Sequence, residues 1–157
     1  MATKPATITV FLASLFLTTL ALAQDSLEGA WQTIEVRVTG GSEEDTINTD
    51  PNLSILLFTE GHFSGMRSAG DRPDPVPEGQ TRTDEDRLAA FAAFRANSGT
   101  YEVSGSKLMR HRMIARIPED VGIMGEVEYR IEGDKLMITA PPNDEGRVLH
   151  LTYTRLD

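Results

Sequence analysis

The chain has 157 residues, 15 Lys and Arg against 24 Asp and Glu, a formal net charge of −9 and no cysteine. That length is enough to close one core. The acidic balance argues against nucleic acid or an anionic membrane as the main partner, and the lack of cysteine excludes disulfides, thiolate metal sites and a lipid-modified cysteine.

Residues 1–23 read as a cleavable secretory signal. Lys4 is the only charge before Asp25, an apolar run extends from Ile8 to Leu22, and Ala21-Leu22-Ala23 puts small residues at both outer positions of a cleavage site. The run is short and holds Thr9, Ser14, Thr18 and Thr19, whereas a spanning helix needs about 20 apolar residues. The expected mature domain is therefore 24–157, periplasmic or secreted, with no stable membrane insertion. Loss of Lys4 takes its charge to about −10.

The mature chain reads as a succession of strands. Ile34, Val36 and Val38 alternate with Glu35 and Arg37, which predicts a half-buried strand over 30–39. Residues 40–52 form an acidic loop ending in Asp50-Pro51-Asn52, and Glu43-Glu44-Asp45 lacks the spacing of a calcium loop. The dense apolar run 53–59 predicts a strand covered on both faces, and 62–68 returns after the turn Glu60-Gly61.

Residues 69–81 carry Pro73, Pro75 and Pro77, so they form a surface loop or flap, since proline lacks the donor that a ladder needs. Thr83 then caps a helix with Asp84, Glu85 and Asp86 in its first turn, running to a C-cap near Asn97-Ser98-Gly99. Loop and helix together form a candidate lid.

A hairpin follows over 98–117, turning at Ser104-Gly105-Ser106. Its second strand has Met109, His111, Met113, Ala115 and Ile117 in one phase, read as the inner face. Arg110, Arg112 and Arg116 fall in the other phase, read as a solvated basic stripe with an anion-binding patch as the alternative. Three more strands are expected at 126–132, 135–140 and 147–156. The tally is eight antiparallel strands with one helix between the third and fourth. Eight such strands can close into a barrel with room for one small ligand, with an open sandwich as the alternative.

Several local patterns resemble the bacterial lipocalin-like domain family, a group of calycin-type barrels. They are Gly29-Ala30-Trp31, Thr59-Glu60-Gly61-His62-Phe63-Ser64, Gly99-Thr100-Tyr101-Glu102-Val103 and Gly133-Asp134-Lys135-Leu136. The resemblance spans most of the mature chain. It implies an all-β, eight-stranded antiparallel barrel with an internal cavity, closed at one end by Trp31, and His111 lies where such domains often carry a histidine. It implies no particular ligand.

The candidate cavity residues are His111, Met109, Met113, Tyr101, Tyr129, Tyr153, His62 and Trp31. A histidine and tyrosines set in an apolar wall can orient a polar group on a mostly hydrophobic ligand. For each of them core packing is the competing explanation. His150 is out of phase with Leu149 and Leu151, so it is expected outside. The histidine spacing predicts no metal site, and no phosphate loop, dinucleotide fingerprint or nucleophile elbow is present, so no cofactor is expected. Three functions stay open: uptake of a small, mostly hydrophobic molecule, a cofactor-free isomerase or cyclase using His111 with a tyrosine, and a solid structural or partner-binding barrel.

Overall fold

The computed structural model describes residues 26–51, 53–68 and 72–156. The expected signal segment and its cut after Ala23 lie outside the described residues.

Nine strands form one sheet: β1 (Gly29–Gly40), β2 (Thr46–Asn48), β3 (Ser54–Thr59), β4 (His62–Ser68), β5 (Phe94–Ser104), β6 (Lys107–Ala115), β7 (Met124–Glu132), β8 (Lys135–Thr139) and β9 (Arg147–Leu156). From β3 to β9 each strand pairs antiparallel with the next. β1 joins β3 on one side and β9 on the other, so eight strands close a ring. An eight-stranded antiparallel barrel is what the resemblance implied. Closure pairs both end strands of the sheet, β3 with β1 over Gly29 to Trp31 and β9 with β1 along its length.

The ninth strand corrects the expected loop at 40–52. β2 is an appendage, with Thr46, Ile47 and Asn48 opposite Val38, Arg37 and Val36. Three exposed residues carry no readable alternation. Because of β2, the helix follows the fourth strand rather than lying between the third and fourth.

That helix, α1 (Asp84–Ala92), starts as expected, with Asp86 N donating to Thr83 Oγ1 at 3.1 Å. It ends earlier than its Ala-rich sequence suggests. Phe94, Arg95 and Ala96 instead pair with Ser68, Arg67 and Met66 of β4. A ladder with β4 outweighs helix propensity, which spans only tenths of a kcal/mol per residue.

The hairpin turns set the register. Gly105 has φ 60°, a left-handed conformation that favours glycine. The two-residue turn pairs Ser104 with Lys107, and so Val103 with Leu108 and Tyr101 with Arg110. Further along, the β5–β6 ladder shifts at Ser98/Gly99. There a Cβ on Gly99 would overlap the carbonyl oxygen of His111 and lie 2.9 Å from Met113 N. Gly99→Ala is therefore expected to cost about 1–3 kcal/mol or more through overpacking. A urea midpoint equal to that of the unmodified protein would contradict this.

The core fills one end of the barrel. Trp31, Leu108 and Leu136 are 0% exposed, and Phe58 and Ile138 2%. Tyr101 meets Phe58 edge-on, with centroids 5.0 Å apart. Beneath them Ser26–Glu28 folds across the opening: Trp31 Nε1 donates to Leu27 O at 2.8 Å, and Arg155 donates to Glu28 O and Ser26 O while stacking 4.1 Å from the Trp31 ring. The run 53–59 is covered on one face only, since Leu53 and Leu57 are exposed.

Candidate functional site

Away from this core the barrel wall is interrupted between β1 and β3. β1 pairs with β3 only from Gly29 to Trp31. Beyond that point β1 follows β9, and the two strands part. Side chains bridge the gap: Ser54 Oγ accepts from Thr33 N at 3.1 Å and donates to Thr33 Oγ1 at 2.6 Å. Above this clasp lies a cavity of about 120 Å³. Its wall includes Thr33, Ser54 and Leu56, Gly65 and Arg67 of β4, Arg95 and Asn97 of β5, Arg110 of β6 and Tyr153 of β9.

Three arginines thus line one small space. The register explains why. Arg67 stands directly opposite Arg95 and, through the turn at Glu60-Gly61, in phase with the buried Phe63. Arg110 is in phase with the buried Leu108. Arg67 is exposed at the rim, while Arg95 and Arg110 are half-buried. Arg95 Nη1 donates to the carbonyls of Ala92 and Phe94. Arg110 lies 5.5 Å from the Phe63 ring centroid.

Among the described residues no acid lines the cavity, and the ion pairs among them engage other cations, such as Arg112 with Asp120 at 3.4 Å. Burial pushes the Arg110 guanidinium below its usual range, Tyr153 opposes this and Arg112 adds to it. A guanidinium keeps its charge regardless, so the shift marks a desolvation cost.

Tyr153 closes the opposite wall. Burial raises its phenol above the usual tyrosine range, with Arg110, the Thr33 hydroxyl and Arg67 drawing it partly back. Tyr101 is raised too, chiefly by burial and then by Glu28. Above pH 10, roughly, the unfolded chain loses these protons while the folded chain keeps them. Fewer protons bound in the unfolded state means stability falls as pH rises. Unfolding free energy is expected to decline through this alkaline window, less steeply in Tyr153→Phe. Equal slopes in parallel denaturant titrations would contradict the assignment.

The eight expected cavity residues are distributed differently. Only Tyr153 lines the cavity. Met109, His111 and Met113 are corrected as cavity residues: Leu108 and Arg110 take the inner phase, so these three lie outside, with His111 exposed and Met113 55% exposed. A catalytic pairing of His111 with a cavity tyrosine falls with that placement. His111→Ala is expected to change stability by no more than about 0.5 kcal/mol and to leave cavity binding intact, as denaturant melts and titration would show.

Trp31 belongs to the packed core, and Tyr101, partly buried, packs against it. Tyr129 packs against that core and borders a hollow of about 320 Å³ beside Glu128, Arg130 and Met137. His62 is exposed at its turn, with Nδ1 3.1 Å from Glu60 O. His150 lies out of phase with Leu151 as expected, held between the hydroxyls of Thr39 and Thr139 at 3.0 and 3.3 Å. The basic stripe is corrected as well, since Arg110 points into the barrel.

Another hollow, of about 360 Å³, lies along Glu35, Arg37, Thr139 and His150. The arginines at these two hollows are already paired, Arg37 with Glu35 at 3.5 Å and Arg130 with Glu132 at 3.0 Å. Among the described residues no group of three His, Cys, Asp or Glu side chains is placed to hold a metal ion.

No protein-family model and no curated protein matches the chain. Two solved structures are similar in outline. One is an uncharacterized protein from Bacteroides eggerthii DSM 20697, 9% identical, with a TM-score of 0.45 over 83% of this chain and 100% of that one. The other is a lipocalin-like protein from Bacteroides uniformis ATCC 8492, 13% identical, with a TM-score of 0.45 over 83% of this chain and 98% of that one.

Proposed function

We propose that this protein is an exported binding module that holds a small anionic molecule in a cavity of its barrel wall. The observation that carries the reading is the direct opposition of Arg67 and Arg95 beside Arg110, with no acid among the described residues of the cavity wall. Like charges directly opposite on neighbouring strands are destabilising, and desolvated charges cost more when unpaired. A bound anion offsets both costs. Arg is suited to this task because its rigid fork matches carboxylate and phosphate oxygens. Export rests on the signal-like pattern of residues 1–23.

The ligand class differs from the mostly hydrophobic one that the apolar strand phases suggested. Apolar side chains already pack the closed end, and a cavity of about 120 Å³ is far below the roughly 300 Å³ or more of a drug-sized apolar site. At about 30 Å³ per water it has room for a few waters or one compact anion.

Thermal unfolding in chloride, acetate, succinate and phosphate at equal ionic strength tests the reading. A bound anion raises Tm by mass action, whereas general salt effects act on any folded protein. At least one anion is expected to raise Tm beyond chloride in the unmodified protein, with that excess lost in Arg110→Met. An identical anion series in both proteins would overturn it.

A further inference from the structure

Taking the anion-binding reading as its basis, we infer that the ligand carries a phosphate group, a compact tetrahedral oxyanion with close to two negative charges. Three features of the cavity point that way.

The first is direction. The polar groups come from four strands: Arg67 on β4, Arg95 on β5, Arg110 on β6 and Tyr153 on β9. Arg67, Arg110 and Tyr153 thus face one space from three different strands. A carboxylate presents two oxygens in one plane and is satisfied by a single Arg fork. A tetrahedral oxyanion presents acceptors on all sides and matches donors arriving from several walls.

The second is charge. Among the described residues three guanidiniums line the cavity and no carboxylate does. A monoanion leaves two of them uncompensated, whereas a phosphate group, at about −1.5 to −2 near neutral pH, compensates most of the excess.

The third is size. A cavity of about 120 Å³ accepts a phosphate group and little more. Any substituent on it must leave past the rim, where Arg67 is exposed. Free phosphate and the head of a phosphate monoester share this chemistry, and the substituent alone distinguishes them.

Isothermal titration of the full chain at pH 7.5 tests the inference, with inorganic phosphate, phenyl phosphate, acetate and succinate as probes. Arg67→Gln and Arg110→Met serve as variants. Arg67 is on the rim, so its replacement keeps the core intact if Arg110→Met does not fold. Inorganic phosphate or phenyl phosphate is expected to bind at least tenfold more tightly than either carboxylate. Each variant is expected to weaken that binding tenfold or more. Tighter binding of phenyl phosphate supports a monoester as the source, and tighter binding of inorganic phosphate supports the free ion. If a carboxylate binds best and depends on the same arginines, the anion reading stands and the phosphate inference fails. If no probe binds in a way that depends on Arg67 or Arg110, both fail.

Discussion

Arg110→Met is expected to weaken anion binding by about 10- to 100-fold while making the empty barrel more stable. The two effects have opposite signs because they arise in different states. In the empty protein Arg110 is desolvated, with Arg112 as a like-charged neighbour. The ring of Phe63 lies 5.5 Å from it, and the ion pairs among the described residues do not include it. Replacing such a charge by an apolar side chain of similar length is commonly neutral or stabilising, here by about 1–2 kcal/mol. With an anion in place the same guanidinium makes charge-assisted hydrogen bonds, worth about 1.5–3 kcal/mol when lost, which gives the fold-change above. Urea denaturation without added oxyanion reads the first effect and titration with phosphate reads the second. A variant that is both less stable and unchanged in binding would show Arg110 to be packing rather than a ligand group.

Trp31→Ala is the substitution expected to damage the fold most. The indole is 0% exposed. It touches three separate parts of the chain: Leu56 is its β3 partner, Leu27 O accepts its N–H at 2.8 Å, and Arg155 stacks on its face. Truncating a buried Trp to Ala costs about 3–5 kcal/mol, against a total of about 5–15 for a domain of this kind. The segment Ser26–Glu28 also loses its seat, because Arg155, which grips its carbonyls, loses the surface it stacks on. Arg155→Met keeps the apolar cover over the ring and is expected to cost less, about 1–2 kcal/mol. Urea curves at 25 °C rank the two variants. A Trp31→Ala midpoint above that of Arg155→Met would contradict this account of the barrel end.

The division between what local sequence determines and what tertiary pairing decides is sharp at the central hairpin. Local sequence determined where the closing strands run. The turns at Glu60-Gly61, Gly105-Ser106 and Gly133-Asp134 mark hairpins, and period-two alternation marks the strands between them. Eight short antiparallel strands can close into a barrel or stack as an open sandwich, and the ladder between β1 and β9 decided for closure. Trp31 as the plug of one end was legible from its Gly-Ala-Trp setting. The brief strand β2 was not, since pairing alone defines it.

Which phase of each strand faces inward was decided by the tertiary structure. Alternation is symmetric: Met109, His111 and Met113 form as regular a row as Leu108, Arg110 and Arg112, and a slip of one residue exchanges them. The more apolar row was the natural choice for the interior, and it lies outside. The turn at Gly105-Ser106 carried the missing information, because pairing Ser104 with Lys107 sets Arg110 opposite Tyr101. The same counting through Glu60-Gly61 sets Arg67 in phase with Phe58 and Phe63. Arg95 had no such signal. It lies in an Ala-rich run whose intrinsic preference is helical, and only the ladder to β4 draws it into the sheet. The sequence therefore determined the strands, and their pairing decided that they close into a barrel with arginines lining a cavity in its wall.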